Sequence, residues 1–434
     1  MMLKKAIIIE LLVATSFLSV YAQENLSTEN TEVTNEAVEV EQLRINPSDF
    51  NSALDILVKD LYVNNSFIID CKETIGTHID SLSENDIMCR LEDISLGFTM
   101  PYNETVLSFI KSYLRRPKQV EYMLGLGETY YFPIFEAALE KYQVPLELKY
   151  LPVIESALNA RAVSSAGATG LWQFMLATGR SYGLEVNTLV DERRDPIKAS
   201  DAAAHYLHDL YAIYHDWLLA IAAYNCGPGN VQRAIRNSGG KKTYWEIYNY
   251  LPRETRNYVP IFIAANYVMN YYQEHGLCPA RPVFNTTVDT LMVNTRIHLK
   301  QISDVLSIPL EELQFLNPQY RYDIIPGNIK SSPLVMPMSA IAAFEQNIDT
   351  IASYKAAELV NQNMRTGTSS TASSSSKSGG SSSGSGHLIY HTIKQGETLS
   401  SIAKKYHTTV DKIKKWNKIS GTMIRAGSRL KIYK

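Results

Sequence analysis

The segment that most constrains the fold is 147–176, where an apolar helical pattern runs directly into a turn of small residues. The apolar positions 148, 151, 153 and 154 predict the buried side of a helix that ends at Asn159. Glu155 is the acid that stands among them. A carboxyl near a helix C-terminus and among apolar groups is favoured in its protonated form, and it can then donate a proton to a leaving oxygen. A solvated glutamate at a helix end is the simpler interpretation for an arbitrary residue.

The turn after this helix, 164–170, has the sequence SSAGATG, so its backbone is open to a bulky polymer. A new helix is predicted to start at Trp172 and Gln173. Further along, a predicted helix over 217–224 stops at the sequence NCGPG. This stop places Tyr224 and Asn225 at a helix end facing a loop, a position where side chains often meet ligands.

These residues resemble three motifs of the lytic murein transglycosylases, whose catalytic domain is similar to goose-type lysozyme. Glu155 and Ser156 match the family's Glu-Ser motif. Residues 170–173 match its Gly-Leu-Met-Gln motif, with Trp172 in place of Met, and residues 223–225 match its Ala-Tyr-Asn motif. The three motifs also stand in the family's order.

The resemblance runs from about residue 101 to residue 272 and implies a mainly α protein with a lysozyme-like, all-α catalytic domain. It implies cleavage of the β-1,4 bond between N-acetylmuramic acid and N-acetylglucosamine with formation of 1,6-anhydro ends. Glu155 would be the catalytic residue, acting alone where most glycosidases need two carboxylates. The substrate-binding residues that the resemblance implies are Ser164, Gln173, Tyr224, Asn225 and Tyr258.

Two other functions stay open at this point: a hydrolytic muramidase on the same fold, and a wall-binding scaffold with an inactive domain. No second acid stands in a family motif, but Asp191, Glu192 and Glu254 remain candidate neighbours of Glu155. No metal or cofactor is expected. His205 and His208 have a spacing that can bind a metal, but no third ligand follows at a set spacing, which favours solvated histidines.

Capping residues predict the main helices of the central block. Asn103 is a candidate N-cap for a helix over 104–114, and Asp195 followed by Pro196 predicts the start of a helix that runs to Tyr214. Further helices are predicted over 129–142 and in a long apolar-faced stretch that ends near Gly276.

The N-terminal sequence predicts an exported protein. Lys4 and Lys5 precede an apolar run over 6–20, and the sequence VYA at 20–22 is typical of a signal-peptide cleavage site. The run is shorter than the roughly 20 residues that a stable membrane span needs. A periplasmic or cell-wall-associated protein with no transmembrane span in the mature chain is therefore expected, with an uncleaved N-terminal anchor as the alternative.

The last segment, 389–433, resembles a LysM domain, with Thr398 and Thr409 as the caps of its two helices. Residues 283–338 show the same order of strand, helix, helix and strand, and resemble a divergent LysM module without the usual Gly-Asp-Thr-Leu loop. LysM domains bind N-acetylglucosamine in glycans, so the resemblance implies peptidoglycan strands as the partner.

The charge distribution agrees with a polymer-binding C-terminus. Residues 388–434 contain eleven basic and two acidic residues, a net charge of +9, which leaves −11 for the rest of a chain whose net charge is −2. Such a segment is attracted to anionic wall polymers. Nucleic acid is not an expected partner, because the chain has an export signal and lacks nucleic-acid-binding motifs.

The chain has four cysteines. Cys71 and Cys89 could form a disulfide in an exported protein, with two buried thiols as the alternative, whereas nothing predicts a bridge between Cys226 and Cys278.

The predicted organisation is a signal peptide (1–22), an acidic flexible leader (23–45), an N-terminal helical extension (46–100), the lysozyme-like domain (101–278), the divergent LysM-like module (283–338), a helix (339–365), a linker rich in Ser and Gly (366–386) and the LysM domain (388–433).

Overall fold

The structure is a computed structural model that describes residues 67–69, 76, 79–284, 286–360, 388–393, 398–406, 408–417 and 428–433. The predicted signal peptide, acidic leader and linker lie outside these residues. The chain divides into two compact units at residues 368 and 369, and each is described by itself. The first contains a helical block (79–278) and a middle module (287–353), and the second contains a C-terminal module (388–433).

The helical block is all-α apart from a short strand pair at its edge. Its α-helices are α1 (Glu84–Asp93), α2 (Glu104–Leu114), α3 (Pro117–Leu126), α4 (Phe132–Lys141), α5 (Leu151–Ser156), α6 (Leu176–Ser181), α7 (Pro196–Tyr214), α8 (Trp217–Cys226), α9 (Pro228–Asn237), α10 (Tyr244–Ile247) and α11 (Arg253–Asn270). Strands β1 (Phe67–Ile69) and β2 (Ala280–Pro282) pair antiparallel. The predicted mainly helical class is confirmed.

Two predicted helix starts are confirmed by their caps. The Asn103 side chain accepts a hydrogen bond of 2.9 Å from the Val106 N–H at the start of α2. The Asp195 side chain accepts 3.0 Å bonds from the N–H groups of Ile197 and Lys198 at the start of α7. Both caps satisfy backbone donors that a first helical turn leaves unpaired.

Helix α11 forms the centre of the core. Its residues from Tyr258 to Met269 are all buried, and it packs against α2, α5 and α8. Each large apolar side chain buried in this way stabilises the fold by roughly 1.5–3 kcal/mol. The helix ends at Asn270, six residues before the predicted end near Gly276.

The helix predicted over 129–142 begins with a π-helical turn, Gly127–Tyr131, before α4. Pro133 has no N–H to donate into the preceding turn, and the Phe132 N–H bonds five residues back to the Gly127 carbonyl. A Cβ at Gly127 would lie 2.3 Å from the Phe132 ring, so a larger residue there would force that ring to move.

The middle module has the predicted order of strand, helix, helix and strand, with one additional strand pair. Strand β3 (Val288–Val293) pairs antiparallel with β6 (Ser332–Pro337), and β4 (Arg296–His298) pairs with β5 (Ile324–Pro326). Helices α12 (Leu299–Leu306) and α13 (Leu310–Leu316) lie between them in sequence.

Where a single helix is predicted after the module, the structure has three short ones: α14 (Ile341–Gln346), α15 (Ile348–Ser353) and α16 (Ala356–Leu359). An extended Tyr354 and a left-handed Lys355, with φ of 46°, interrupt the helical path between α15 and α16. Phe344 and Ile351 are buried in the core of the middle module, so α14 and α15 pack onto it.

The C-terminal module consists of β7 (Leu388–Thr392), α17 (Leu399–Lys405), α18 (Val410–Asn417) and β8 (Arg429–Tyr433), with β7 and β8 antiparallel. The predicted caps are confirmed. The hydroxyl of Thr398 accepts from the Ser401 N–H at 3.2 Å, and that of Thr409 accepts from the Lys412 N–H at 3.3 Å.

The same asparagine clamp closes both modules. In the middle module the Asn317 side chain donates to the Leu313 and Val335 carbonyls at 2.9 and 2.7 Å and accepts from the Val335 N–H at 2.9 Å. In the C-terminal module, Asn417 makes the equivalent three bonds to residues 413 and 431 at 2.8, 2.8 and 2.7 Å. Each clamp ties the end of the second helix to the closing strand.

Neither alternative left open for Cys71 and Cys89, a disulfide between them or two buried thiols, agrees with the state of Cys89. Cys89 is a free, exposed thiol, Cys226 is also free, and Cys278 is disulfide-bonded. Burial raises the pKa of the Cys226 thiol to about 11, so it is protonated at neutral pH. Cys71 lies outside the described residues.

We expect Asn317→Ala to lower the free energy of unfolding of the first unit by about 1–3 kcal/mol, because it leaves the part-buried N–H and carbonyl of Val335 without that partner. The measurement is denaturant unfolding. The matched control is Asn347→Ala, since the Asn347 side chain also bonds one turn back, to the Ala343 carbonyl, but in an exposed position. Equal losses in the two variants would show that the clamp has no special weight.

Candidate active site

Glu155 lies at the end of α5, a helix whose six residues are all buried. The helix is terminated by two consecutive left-handed residues, Ala157 and Leu158, with φ of 49° and 63°. Glu155 itself is only 1% exposed. The Tyr258 hydroxyl donates to Glu155 Oε1 at 2.5 Å, so the structure brings these two predicted site residues into direct contact.

Ser156, the second residue of the Glu-Ser motif, anchors the segment that follows. Its hydroxyl is 3.1 Å from the Pro152 carbonyl and 2.9 Å from the Leu171 carbonyl. It therefore holds α5 against residues 163–174, called the glycine loop below.

The glycine loop is folded on itself by short antiparallel bridges between Val163 and Thr169 and between Thr169 and Phe174. The Ser164 hydroxyl accepts from the Ala168 N–H at 2.9 Å, so this predicted substrate contact also shapes the turn. Gly170 has φ of +86°, and a Cβ there would lie 1.8 Å from the Arg193 carbonyl oxygen. A side chain at 170 is excluded both by conformation and by space.

Gln173 is 7% exposed and lies at the end of the glycine loop with a left-handed backbone. Its Nε2 donates to the Gly170 and Ala162 carbonyls at 2.8 and 3.2 Å. Its Oε1 is buried and accepts no hydrogen bond. A buried acceptor without a donor is costly, so this oxygen is available to a ligand N–H or O–H group.

Tyr224 and Asn225 lie at the end of α8, as predicted. The Tyr224 hydroxyl donates to the Trp172 carbonyl at 2.7 Å, which links α8 to the glycine loop. Asn225 Oδ1 accepts from the Thr255 hydroxyl at 2.9 Å, whereas Asn225 Nδ2 is buried and donates to no group in the structure. The site thus offers one free amide acceptor and one free amide donor.

The other three acids considered from the sequence either form ion pairs or are exposed. Asp191 forms ion pairs with Arg193 and Arg321, and Glu192 forms one with Lys198. Burial of Asp191 opposes its ionisation, but bonds from the two guanidinium groups outweigh burial and lower its pKa below the ordinary value. Glu254 is exposed in the first turn of α11.

Two surface depressions, of about 370 and 410 Å³, lie away from these residues. The first is lined by residues from α4 and the end of α11, and the second by residues around α7 and Lys330. None of the six predicted site residues lines either one, so neither is the candidate active site.

Two contributors escaped the sequence analysis. Thr255 orients Asn225, and Arg193 donates to two carbonyls of the glycine loop, at Gly167 and Phe174. The signal for Arg193 was the dense run of charges at 191–195 in an otherwise apolar block, since buried charges need specific partners. Thr255 has no comparable signal in the sequence.

Comparisons with protein families agree with this arrangement. Residues 132–247 match the Transglycosylase SLT domain, residues 287–353 match the LysM-like domain of lytic transglycosylase MltD, and residues 391–432 match the LysM domain. The first match includes Glu155 and the whole glycine loop.

Individual relatives cover different parts of the chain. Membrane-bound lytic murein transglycosylase D of Escherichia coli K12 is 27% identical over 345 residues, which are 79% of this chain and 71% of the relative. Cell wall-binding protein YocH of Bacillus subtilis is 55% identical over 42 residues, 10% of this chain and 15% of the relative.

Among solved structures, the 70 kDa soluble lytic transglycosylase of Escherichia coli aligns with 53% of this chain and 44% of its own, at 17% identity and a TM-score of 0.31. The chain therefore contains a Transglycosylase SLT domain followed by two LysM-type domains, and it is similar over 79% of its length to a membrane-bound lytic murein transglycosylase.

Proposed function

We propose that this protein is a peptidoglycan lytic transglycosylase that cleaves the β-1,4 bond between N-acetylmuramic acid and N-acetylglucosamine and leaves 1,6-anhydromuramic ends. The observation that carries the proposal is the buried Glu155 carboxyl, held by the Tyr258 hydroxyl inside an SLT-type fold. A side chain that both gives and takes a proton needs this combination of exclusion from water and a fixed orientation.

In the first step, Glu155 in its protonated form donates to the glycosidic oxygen, which leaves as the 4-hydroxyl of N-acetylglucosamine. The carbonyl oxygen of the muramic N-acetyl group assists by attacking C1 as the bond breaks. Tyr258 stabilises the carboxylate that results, because its hydroxyl donates to Oε1 at 2.5 Å.

In the second step, the Glu155 carboxylate removes the proton of the muramic C6 hydroxyl while O6 attacks C1. The N-acetyl group is released and the 1,6-anhydro bond forms, so Glu155 returns to its protonated state. One carboxyl group serves both steps and no water is consumed. The commitment of Asp191 and Glu192 to ion pairs agrees with a one-carboxylate mechanism, since most hydrolytic glycosidases need a second free acid.

The two free amide atoms match the chemistry of this substrate. An N-acetyl group presents one N–H donor and one carbonyl acceptor, and Gln173 Oε1 and Asn225 Nδ2 supply the complementary acceptor and donor. With Ser164 and Tyr224 at the glycine loop, they form the substrate-binding set.

The C-terminal module is proposed to bind N-acetylglucosamine units of peptidoglycan and to hold the enzyme on its polymer. The LysM match over 391–432, the likeness to a wall-binding protein and the net charge of +9 support this role. We place the protein in the periplasm or at the cell wall, on the evidence of the N-terminal signal. In the described part of the chain, no helix is long and apolar enough to cross a membrane.

We expect Glu155→Gln to keep the fold and glycan binding but to lose activity by about 10²–10⁴-fold, because an amide cannot transfer the proton. The measurement is the release of anhydromuropeptides from purified peptidoglycan, followed by mass spectrometry. Glu140→Gln, an exposed acid on α4, is the matched control and should be fully active. Activity above about a hundredth of wild type would exclude Glu155 as the acid, and reducing ends without anhydro sugar would identify a hydrolase.

We expect Tyr258→Phe to lower kcat by about 10- to 100-fold, since a bond to an ionised group is worth roughly 1.5–3 kcal/mol. Asn225→Ala should raise KM more than Tyr258→Phe does, because it removes a substrate contact. Tyr267→Phe is the control, as its hydroxyl lies on the same helix but bonds to Arg90. If both site variants behave like the control, the assignment of these contacts is wrong.

Truncation after Val360 should leave a folded, active enzyme, because the C-terminal module belongs to a separate compact unit. Turnover of soluble muropeptide oligomers should stay nearly constant, whereas activity on insoluble sacculi should fall as the local concentration of enzyme at the polymer drops. A sacculus pull-down at two salt concentrations checks the tether, since salt screens the +9 charge but not sugar contacts. Equal binding with and without the module would refute it.

A further inference from the structure

The middle module is joined to the helical block through a continuous backbone contact. Residues 189–191 of the block and 319–321 of the module lie side by side, with Val190 bridged antiparallel to Tyr320. The Asp191 N–H donates to the Gln319 carbonyl at 2.9 Å, and the Arg321 N–H donates to the Leu189 carbonyl at 2.8 Å. A flexible tether would not make such bonds.

The two hydrophobic cores also interlock at this junction. Val190 of the helical block is buried in the core of the module, and Leu316 of the module is buried in the core of the block. The Phe315 ring lies 5.3 and 5.9 Å from the rings of Tyr130 and Tyr131. The module is therefore packed as a fixed part of the first unit.

A buried carboxylate links the module to the block electrostatically. Asp191 is 1% exposed, and its Oδ2 lies 2.8 Å from a guanidinium nitrogen of Arg321 and 2.8 Å from one of Arg193. Asp191 Oδ1 accepts a further bond of 2.9 Å from Arg193 Nε. Arg193 is thus oriented by a charge that it shares with a residue of the module.

Arg193 in turn holds the glycine loop from both sides. Its Nη1 donates to the Gly167 carbonyl at 3.0 Å and to the Phe174 carbonyl at 3.1 Å. Its own carbonyl occupies the space that a side chain at Gly170 would need. These contacts flank the positions of Ser164 and Gln173 in the proposed substrate-binding set.

A second contact reaches the chain just before the glycine loop. Arg161 Nη2 donates to the Gln314 carbonyl of the module at 3.2 Å and lies 3.9 Å from Asp323. The Gln314 side chain donates to the same Asp323 carboxylate at 2.6 Å. The module therefore fixes the loop at its entry as well as through Arg193.

We propose that the middle module is a brace for the active site, and that Arg321 is a positioning residue that acts through Asp191 and Arg193 on the glycine loop. This inference rests on the proposed transglycosylase function, whose substrate contacts the loop carries. Residues 317–323 connect the second helix of the module to its closing strands. This segment is the part of the module that packs against the helical block.

The test compares Arg321→Ala, Arg321→Lys and Lys330→Ala in the full chain. Arg321→Ala should lower kcat on soluble muropeptide oligomers by about 10- to 100-fold, because small displacements of positioning groups have effects of this size. Arg321→Lys restores a positive charge beside Asp191 and should recover part of that loss. Lys330→Ala is the control, since its 3.4 Å pair with Glu185 lies at the same junction but is exposed, and it should be fully active.

Two further measurements, sacculus binding and thermal stability, separate the possible outcomes. Sacculus binding by Arg321→Ala should equal that of wild type, because the C-terminal module is unchanged. Weaker sacculus binding with normal kcat would instead identify the middle module as a glycan binder. Lower thermal stability with normal kcat at a temperature where the variant is folded would reduce Arg321 to a structural role, and either result overturns the brace.

If Arg321→Ala does not fold, Arg193→Lys gives an independent test. It keeps a positive charge near Asp191, but its three donors cannot replace the four bonds that Arg193 makes to Asp191, Gly167 and Phe174, so kcat should again fall with sacculus binding intact. An inactive wild-type protein would refute the proposed function, whereas an active wild type with fully active Arg321 and Arg193 variants would refute the brace alone.

Discussion

The hydrogen bond from Tyr258 to Glu155 is the interaction on which the rest of the structure depends. A carboxyl group that is 1% exposed loses its hydration, and burying its ionised form costs several kcal/mol unless a partner replaces the water. The partner here comes from α11, whose residues 258–269 are buried throughout, so the hydroxyl is as rigid as the core itself. The donor bonds to the acid where α5 ends and the chain turns back through two left-handed residues. The packing of α11 therefore fixes the position of the hydroxyl that bonds to Glu155 at the end of α5.

The neighbouring loop is held by polar groups that bond to backbone. Ser156, Tyr224 and Arg193 each bond to backbone carbonyls between 167 and 174. These bonds give the loop a defined shape, although its small residues have few side-chain atoms of their own. Two buried amide atoms of the site, Gln173 Oε1 and Asn225 Nδ2, have no hydrogen-bond partner in the described part of the chain. Unsatisfied buried polar atoms are rare in folded proteins because each costs free energy, and at a site of this kind a ligand recovers that cost.

Much of this could be predicted from the sequence because the determinants are local. Asn103, Asp195, Thr398 and Thr409 cap helices within a few residues of themselves. The three motifs contain four of the six candidate site residues, and Ser164 and Tyr258 lie outside them. The failures involve distant partners. Whether Cys71 and Cys89 pair depends on which segments meet in space, and the π-helical turn before α4 is set by a Phe132 N–H that bonds five residues back, which a periodic pattern does not register. Arg321 bonds to Asp191, which lies 130 residues away in the sequence, so no spacing rule could reveal this contact.

The two LysM-type domains show how one scaffold can serve two purposes. Both keep the asparagine clamp that ties the second helix to the closing strand, so the fold is maintained in each by the same three bonds. They differ in what surrounds the clamp. The middle module shares two buried side chains with the helical block and gives its 317–323 segment to the junction, whereas the C-terminal module follows a linker rich in Ser and Gly and carries the positive charge. A surface that is buried against a neighbouring domain is no longer free to bind a polymer. The middle module, whose 317–323 segment is packed in this way, is also the one whose sequence lacks the usual Gly-Asp-Thr-Leu loop.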